Sequence, residues 1–202
     1  MKIKSSMIDK QLRISGMIFK MFLKFPNEDM FKKMRRNTDR MRGKKVRGLQ
    51  CSEEWIPRKK DGTSLRVCVY KPLAPVTMSV GILWMHGGGY AIGLPEASTG
   101  MIKKLIAESG CVVVAPDYQL SLDAPYPAAL EDCHDALLWM KNHADVLGIR
   151  NDQLMVGGES AGGGLAAALT LYERDHGGVN IDRKSTRLNS SHERLSRMPS
   201  SA

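Results

Sequence analysis

VGGESAGGG, residues 156–164, joins two stretches of very different character. The run that leads into it, QLMV (153–156), is short and apolar, as is typical of a buried strand, and the residues after it, LAAALTLYERDH (165–176), have the composition of a helix. Ser160 stands between Gly158 and Gly162 in a Gly-x-Ser-x-Gly pattern, and glycines at these positions allow a sharp strand-to-helix turn. The stretch therefore predicts a strand, a tight turn and a helix, with the Ser160 hydroxyl lifted to the surface.

Upstream of this turn, short apolar runs alternate with helical segments. Each run is long enough for one strand and apolar enough to be buried on both faces, which is typical of a parallel sheet covered by helices. The fold class predicted is therefore α/β, with a largely parallel sheet. The runs are SVGILWMH (79–86), CVVVAPDY (111–118) and QLMVGG (153–158), and the helical segments lie at about 99–109 and 128–147.

The segment EEWIPRKKDGTSLRVCVYKP, residues 53–72, has a different pattern. Two strand-like runs flank KKDGT (59–63), and the Asp61-Gly62 pair within it is typical of a hairpin turn. The sheet is therefore expected to begin with an antiparallel pair of strands, ahead of its parallel part.

Residues 1–50 predict two amphipathic, basic helices. Apolar residues from Met7 to Phe25 recur at spacings of three and four, and NEDMFKKMRRNTDRMRGKK (27–45) continues as a second helix that ends near Gly43. Lys20 and Lys24 interrupt the apolar run, so we expect neither a signal peptide nor a membrane span. A pair that covers a hydrophobic pocket of its own domain is favoured, and binding to a membrane surface is the alternative.

The net charge of +9 comes from the same segment. Residues 1–50 hold 15 Lys and Arg against 4 Asp and Glu, whereas residues 51–181 hold 10 against 15. Because no RNA-binding or zinc-finger pattern accompanies the basic residues, solvated helix faces are favoured over a polyanion site, and no nucleic-acid partner is predicted.

The four cysteines, at 51, 68, 111 and 133, are isolated in the sequence. They form no Cys-x-x-Cys pair or metal-like cluster, and they are interpreted as buried hydrophobes or free thiols in a reducing compartment. The sequence therefore predicts a cytoplasmic protein without metal or cofactor.

A second glycine-rich stretch, HGGGY at residues 86–90, follows the strand that ends in Trp84 and Met85. Three consecutive glycines let backbone amides point at one spot without side chains in the way. The amides of Gly88 and Gly89 are candidate donors to an oxyanion, together with the amide of Ala161 at the start of the predicted helix. A phosphate loop is the alternative, but no Gly-Lys-Ser/Thr sequence is present and Glu159 would repel an anion.

The order HGGGY (86–90), APDYQLSLDAPYPAALEDC (115–133) and GESAGGGLA (158–166) resembles the hormone-sensitive-lipase-like branch of the α/β-hydrolases, the family IV esterases. The resemblance covers about residues 1–180. It implies that Ser160 attacks an ester carbonyl, that amides of Gly88, Gly89 and Ala161 hold the oxyanion, and that the substrate is a small-molecule ester without cofactor or metal. It also implies that His86 is a structural residue of its loop and that the N-terminal helices form a cap.

Three positions depart from the family pattern. Gln119 stands where an arginine is usual, SLDAP (121–125) replaces an SPE-like run, and Glu159 replaces the commoner aspartate. None of these residues carries the reaction, so the departures concern the subfamily and the local salt bridges.

The rest of the triad is the larger departure, because in this family the acid and the histidine follow the serine. His176 lies 16 residues after Ser160 on one predicted helix, which puts it roughly 24 Å away and out of reach. Only Asp182 and His192 then have the correct order.

Both residues fall in DRKSTRLNSSHERLSRMPSSA, residues 182–202, where apolar periodicity stops and a Ser/Arg bias begins. DRKSTRLNSSH and SRMPSSA can be reverse-translated into the two constant halves of a common indexed sequencing adapter, with ERL (193–195) at the variable index. We interpret the tail as a translated adapter and expect it to be disordered. The predicted organisation is therefore cap helices at 1–50, the first part of a hydrolase domain at 51–181 and a non-native tail at 182–202.

This interpretation has consequences for the whole chain. About three strands, the acid and the histidine would be missing, and the strand that ends at Gly157 would be a bare, aggregation-prone edge. We expect the chain alone to fold poorly and to be inactive, while its parent is a serine esterase for short to medium acyl esters. The alternative is a binding protein that keeps the pocket but has lost its histidine, as in some plant hormone receptors. The sequence predicts no oligomeric state.

Overall fold

The computed structural model describes residues 28–187 together with Asp9 and Arg13. The first predicted helix, from Met7 to Phe25, lies outside the described residues except for those two positions. Over residues 28–187, six strands alternate with five α-helices and one short 3-10 turn. The elements are α1 (Glu28–Asp39), β1 (Leu49–Pro57), β2 (Ser64–Pro72), β3 (Ser79–Met85), the 3-10 turn Pro95–Ser98, α2 (Thr99–Ser109), β4 (Val112–Pro116), α3 (Ala128–Asn142), α4 (Ala144–Leu147), β5 (Ile149–Glu159), α5 (Ala161–His176) and β6 (Ile181–Arg187).

The strands form one sheet in the order β1-β2-β4-β3-β5-β6. β2 is antiparallel to both of its neighbours, β1 and β4, whereas β3, β4, β5 and β6 run parallel to one another. The prediction of an antiparallel start followed by a largely parallel sheet is confirmed. Since the carboxyl ends of β3 and β5 lie side by side, the glycine-rich stretches that follow them meet at one edge of the sheet.

Successive side chains of a strand point to opposite sides of a sheet. In this sheet, both sides are buried. In β4, Val112 and Val114 pack with α3 and α5, while Val113 and Ala115 pack on the other face with Ile102 of α2. A strand covered on both sides needs an uninterrupted apolar run, which is the pattern that CVVVA shows in the sequence.

The hairpin predicted at Asp61-Gly62 is present between β1 and β2. Gly62 has a φ of +72°, which favours glycine, and the Asp61 side chain accepts a hydrogen bond of 2.9 Å from the amide of Thr63. β1 begins at Leu49 and so starts slightly before the predicted domain boundary at residue 51.

The prediction of disorder from residue 182 onward is wrong for residues 182–187. Their backbone forms most of β6, which pairs with β5 from Leu154 opposite Ile181 to Glu159 opposite Arg187. β5 is therefore not an edge strand in the structure, contrary to expectation. The physical reason is that a strand edge offers unpaired N–H and C=O groups, which a following segment can satisfy with its own backbone whatever its side chains. Residues 188–202 lie outside the described part of the chain.

α1 is held against the loop that follows β4. Arg35 forms an ion pair of 2.6 Å with Asp123, and Arg42 pairs with Asp117. The second predicted helix is present but ends at Asp39, four residues before the predicted end near Gly43, where the chain turns. No helix of the described residues is long and apolar enough to cross a membrane. The cap function of this region stays a prediction, although its helix lies at the edge of the sheet where β4 ends.

Candidate active site

The turn between β5 and α5 has Ser160 at its tip. Ser160 is exposed and has φ 53° and ψ −119°, a backbone conformation that side chains rarely adopt. It follows Glu159, the last residue of β5, and precedes Ala161, the first residue of α5. The strand, turn and helix predicted from VGGESAGGG are therefore present, and strain of this kind is typical of a residue with a functional role.

The two glycines of the Gly-x-Ser-x-Gly pattern are required by close packing. A Cβ atom on Gly162 would lie 2.1 Å from the carbonyl oxygen of Met85, and one on Gly158 would lie 2.4 Å from the carbonyl carbon of Gly162. Both distances are far below van der Waals contact. Glycine at these positions thus lets the first turn of α5 pack directly against the ends of β5 and β3.

The HGGG loop lies against this turn. A Cβ atom on Gly87 would lie 3.5 Å from the Cβ of Ser160 and 3.0 Å from the carbonyl oxygen of Glu159. Gly88 and Gly89 follow with φ values of +131° and +62°. The structure therefore brings together two motifs that lie some 70 positions apart in the sequence.

The amides of Gly88, Gly89 and Ala161 are the predicted oxyanion donors. The Gly88 carbonyl accepts hydrogen bonds from the amides of Ala91 and Ile92, which fixes the loop, and Ala161 begins a helix. Among the described residues, none accepts a hydrogen bond from any of the three amides. Amides without a protein acceptor are suited to bind an anion, and the Ala161 amide also lies at a helix start. The catalytic role of the three amides stays a prediction.

His86 is buried beneath the same loop and is 1% exposed. Its Nδ1 lies 2.8 Å from the Gly87 carbonyl oxygen, and its ring stacks on Tyr118 with centroids 4.2 Å apart. Burial lowers the pKa of the ring. This geometry agrees with a structural residue of the loop, as predicted, and not with a base that faces Ser160.

The other described histidines also have partners elsewhere. His134 lies 3.0 Å from Glu173, and His143 and His176 each contact the carbonyl of the residue four positions earlier in the chain. His176 is the last residue of α5, which confirms the prediction that the helix separates it from Ser160. Within residues 28–187, no histidine forms a hydrogen bond with Ser160. The Asp182 side chain and His192 lie outside the described part.

A cavity of about 440 Å³ opens beside the glycine loop. Tyr90, which has a φ of +61°, forms one wall, and its hydroxyl would lie 2.5 Å from a Cβ on Gly164 of α5. The cavity size is within the range of small-molecule sites. Its lining is mostly apolar and comprises Gly89, Tyr90, Gln119, Ser121, Ala124, Tyr126, Ala129, Leu130, Gly164, Leu165 and Ala168.

Sequence reasoning missed a salt bridge of Arg58 with Asp132, the carboxylate that also contacts Gln119. The amide of Gln119 donates a hydrogen bond of 2.8 Å to buried Asp132, and Arg58 forms an ion pair of 2.6 Å with the same carboxylate. A guanidinium from the β1–β2 turn thus pairs with the carboxylate that Gln119 also contacts. The pairing joins positions 74 residues apart, so no local pattern could have found it.

A buried cluster around Arg66 was also missed. Arg66 is 3% exposed and hydrogen-bonds to Glu53, Glu96 and Asp117. Its hydrogen bond lowers the pKa of Glu53, which outweighs the opposing effect of burial. Glu53, Cys68 and Glu96 are close enough together to ligate a metal ion, but the Arg66 guanidinium already pairs with both carboxylates.

A family profile described as alpha/beta hydrolase fold matches residues 82–188, more than half of the chain. The chain is 35% identical over 112 residues to the ethyl acetate hydrolase of Pseudomonas putida, covering 54% of this chain and 35% of that protein. It is 32% identical over 96 residues to the hormone-sensitive lipase of Mus musculus, covering 48% of this chain and 13% of that protein. The solved structure of a bacterial heroin esterase matches with a TM-score of 0.70 and 30% identity, covering 82% of this chain and 52% of that one.

The chain therefore belongs to the α/β-hydrolase fold family. The similarity to hormone-sensitive lipase and to esterases confirms the resemblance that the HGGGY and GESAG motifs predicted. The matched segment spans about a third or less of these curated relatives and about half of the solved esterase.

Proposed function

We propose that this chain is the first part of a serine carboxylesterase that works through an acyl-enzyme on Ser160. The observation that carries the proposal is the exposed, strained Ser160 at the β5–α5 turn with the HGGG loop against it. The relatives named as ethyl acetate hydrolase and heroin esterase support an ester substrate. We call the longer protein, in which native sequence continues past Ile181, the parent.

In the proposed reaction, the Ser160 hydroxyl oxygen attacks the ester carbonyl carbon while a base removes its proton. The carbonyl oxygen becomes an oxyanion, which the amides of Gly88, Gly89 and Ala161 stabilise. The intermediate then collapses to an acyl-serine, and the alcohol leaves with the proton that the base returns. Water repeats the sequence and releases the carboxylic acid and Ser160.

We propose that the 440 Å³ cavity beside Gly89 holds one arm of the ester. Its apolar lining and limited volume favour short to medium chains over long ones. Ala168 lies in this lining on α5, two turns after Ser160, so the size of its side chain sets how much of the cavity is open.

We also propose that the base and its acid lie in the native continuation, and that residues 182–202 are translated adapter. Every described histidine already has another partner, which supports a base from outside this part of the chain. The 202-residue chain is then a fragment with a nucleophile and oxyanion donors but without proton transfer.

A binding protein on the same fold is the second candidate. The observation that favours it is the same absence of a histidine beside Ser160 within residues 28–187. The two candidates differ in the continuation, because only the enzyme needs an aspartate or glutamate and a histidine there. Reading the nucleotide sequence past codon 181 separates them.

The test is hydrolysis of p-nitrophenyl acetate and butyrate by the parent and by its Ser160→Ala variant. We expect Ser160→Ala to lower kcat by roughly 10⁴-fold or more, because removal of a nucleophile leaves only oxyanion stabilisation and binding. Ala168→Leu tests the cavity separately, and it should reduce turnover of butyrate more than of acetate. Equal rates for the parent and Ser160→Ala would refute the assignment of the nucleophile.

A further inference from the structure

The side chain of Gln119 has an orientation that is set by a buried carboxylate. Asp132 is 1% exposed and forms an ion pair of 2.6 Å with Arg58, so its oxygens accept hydrogen bonds and donate none. Its Oδ1 lies 3.4 Å from the Gln119 side-chain nitrogen, and its Oδ2 accepts a hydrogen bond of 2.8 Å from the Gln119 backbone amide. The side-chain nitrogen of Gln119, and not the oxygen, must therefore face Asp132. Among the described residues, none donates a hydrogen bond to Gln119 Oε1.

Gln119 also borders the 440 Å³ cavity that has Gly89 in its wall. The two residues follow β4 and β3, which are parallel neighbours, so both lie at the carboxyl edge of the sheet. Because Asp132 holds the side-chain nitrogen, Oε1 is the polar atom of this side chain that is left for a molecule in the cavity. The cavity therefore has a hydrogen-bond acceptor in its wall.

Gln119 differs from the other polar side chains of the cavity in its burial. Tyr90, Ser121 and Tyr126 are exposed, whereas Gln119 is partly buried in an otherwise apolar lining. An exposed hydroxyl exchanges a hydrogen bond with water for one with a ligand, so it contributes little to selectivity. A partly buried acceptor without a protein donor gains more from a ligand that donates to it, and a few such groups set the specificity of an apolar site.

The charge of the surroundings narrows the kind of donor. Among the described residues that line the cavity, none carries a charge, and the Asp132 carboxylate next to Gln119 is paired with Arg58. An ammonium group would lose water there without gaining an opposite charge, which is unfavourable at a partly buried position. A hydroxyl group brings a donor without this cost.

We propose that Gln119 is a specificity-determining residue, whose Oε1 accepts a hydrogen bond from a hydroxyl group on one arm of the ester. The preferred substrates are short esters that carry such a hydroxyl, rather than plain alkyl esters of the same size. The inference rests on the proposed esterase function and on the proposed placement of one ester arm in this cavity.

Two pairs of esters that exchange a hydroxyl for a methyl group test the proposal on the parent. Ethyl 3-hydroxybutyrate and ethyl 3-methylbutyrate place the group on the acyl arm, and 2-hydroxypropyl acetate and 2-methylpropyl acetate place it on the alcohol arm. In each pair, kcat/KM of the hydroxyl ester is divided by kcat/KM of the methyl ester, both measured by acid titration at constant pH. Since both esters meet the same preparation, the folded fraction of the protein cancels from this ratio.

Gln119→Met removes the acceptor and keeps a side chain of similar length, while Asp132 retains Arg58 and the backbone amide of position 119. We expect this variant to lower the ratio by about threefold or more in at least one pair, which corresponds to the loss of one neutral hydrogen bond. Gln50→Met is the matched control, because the Gln50 side chain bonds the Leu73 carbonyl oxygen at the opposite end of the sheet. It should leave both ratios as they are in the parent.

Unchanged ratios in Gln119→Met would overturn the inference, and so would an equal decrease in Gln50→Met. Calorimetric binding of the same esters to the Ser160→Ala variant gives a readout without turnover, in which added Gln119→Met should weaken binding of the hydroxyl ester selectively. Loss of activity in Ser160→Ala together with unchanged ratios in Gln119→Met refutes this inference alone. Full activity in Ser160→Ala refutes the proposed function, and the binding ratios then still decide the role of Gln119.

Discussion

At the scale of single residues, the site depends on two glycines, which have no Cβ atom. Gly158 and Gly162 leave out two Cβ atoms that would overlap backbone atoms of the turn and of β3. Their absence brings the first turn of α5 against β3, and this packing holds Ser160 in its unusual conformation. The two glycines thus set the geometry of the turn, while the proposed chemistry belongs to Ser160 and the amides near it.

We predict that Gly162→Ala destabilises the parent by about 1–3 kcal/mol or more, because its Cβ would meet the Met85 carbonyl oxygen at 2.1 Å. The matched control is Gly100→Ala in α2, where a Cβ meets nothing within 4 Å. That variant should be neutral or more stable by up to about 1 kcal/mol, since alanine favours helix. Urea unfolding measures both, and equal unfolding free energies for the two variants would contradict the packing account.

At the scale of elements, α3 and α5 are joined by His134 and Glu173. His134 Nε2 lies 3.0 Å from one carboxylate oxygen of Glu173, whose other oxygen accepts a hydrogen bond of 2.8 Å from the amide of Val179. Glu173 therefore also fixes the chain that leads from α5 to β6. Burial lowers the pKa of His134, and the charge of Glu173 offsets this only in part.

This shift makes stability depend on pH in a defined direction. Because the pKa of His134 is lower in the folded state than its ordinary value of 6.5, the unfolded state binds more protons below that pH. The contribution of neutral His134 to the stability of the folded state is complete above pH 6.5. It is lost as the pH falls through 6.5 toward the pKa of His134 in the folded state. We predict that the urea midpoint of the parent falls between pH 7.5 and 5.5, and that His134→Gln reduces this fall. An identical fall in both proteins would exclude His134 as its source.

The pairing of β6 with β5 gives a second prediction at this scale. A chain that ends at Ile181 exposes the backbone of β5 from Met155 to Glu159, which is an open template for another strand. We predict that this truncation associates more strongly than a chain that ends at residue 187, as measured by analytical ultracentrifugation. The chain that ends at residue 187 lacks only residues 188–202 and is the matched control. Equal association of the two truncated chains would show that β6 does not protect the edge.

At the scale of the whole molecule, the proposed nucleophile and the proposed oxyanion donors both lie within the described residues. Proton transfer needs a base, and within residues 28–187 no histidine forms a hydrogen bond with Ser160. We predict that the 202-residue chain hydrolyses p-nitrophenyl acetate at least roughly 10⁴-fold more slowly than the parent, with no further loss in Ser160→Ala. A soluble monomer of this chain with turnover near that of the parent would contradict the proposed division of the triad.

The basic N-terminal segment is joined to the rest of the molecule by ion pairs. The net charge is positive, but Arg35 and Arg42 form ion pairs with Asp123 and Asp117 of the acidic hydrolase part. Part of the positive charge that suggested a polyanion site is thus neutralised within the molecule. These pairs attach α1 beside the carboxyl end of β4, near the candidate active site.

Most elements of the described fold could be predicted from the sequence, because their signals are local. The apolar run CVVVA, the Asp61-Gly62 turn and the glycines around Ser160 each specify a conformation within a few residues. The same holds for the candidate donors, since three glycines after a strand and the first residue of a helix leave amides free. The sequence by itself thus determined the elements and the chemistry available at their ends.

Only the tertiary structure decided which of these groups meet. The contact of Gly87 with Ser160, the Tyr118 ring beneath His86 and the Arg58–Asp132 pair all join distant positions, and they follow from the order of strands in the sheet. The pairing of β6 was predicted wrongly because side-chain composition was used to judge a segment whose pairing depends on backbone groups. Local patterns carry no information on sheet order, since that order is fixed by which apolar faces can be buried together.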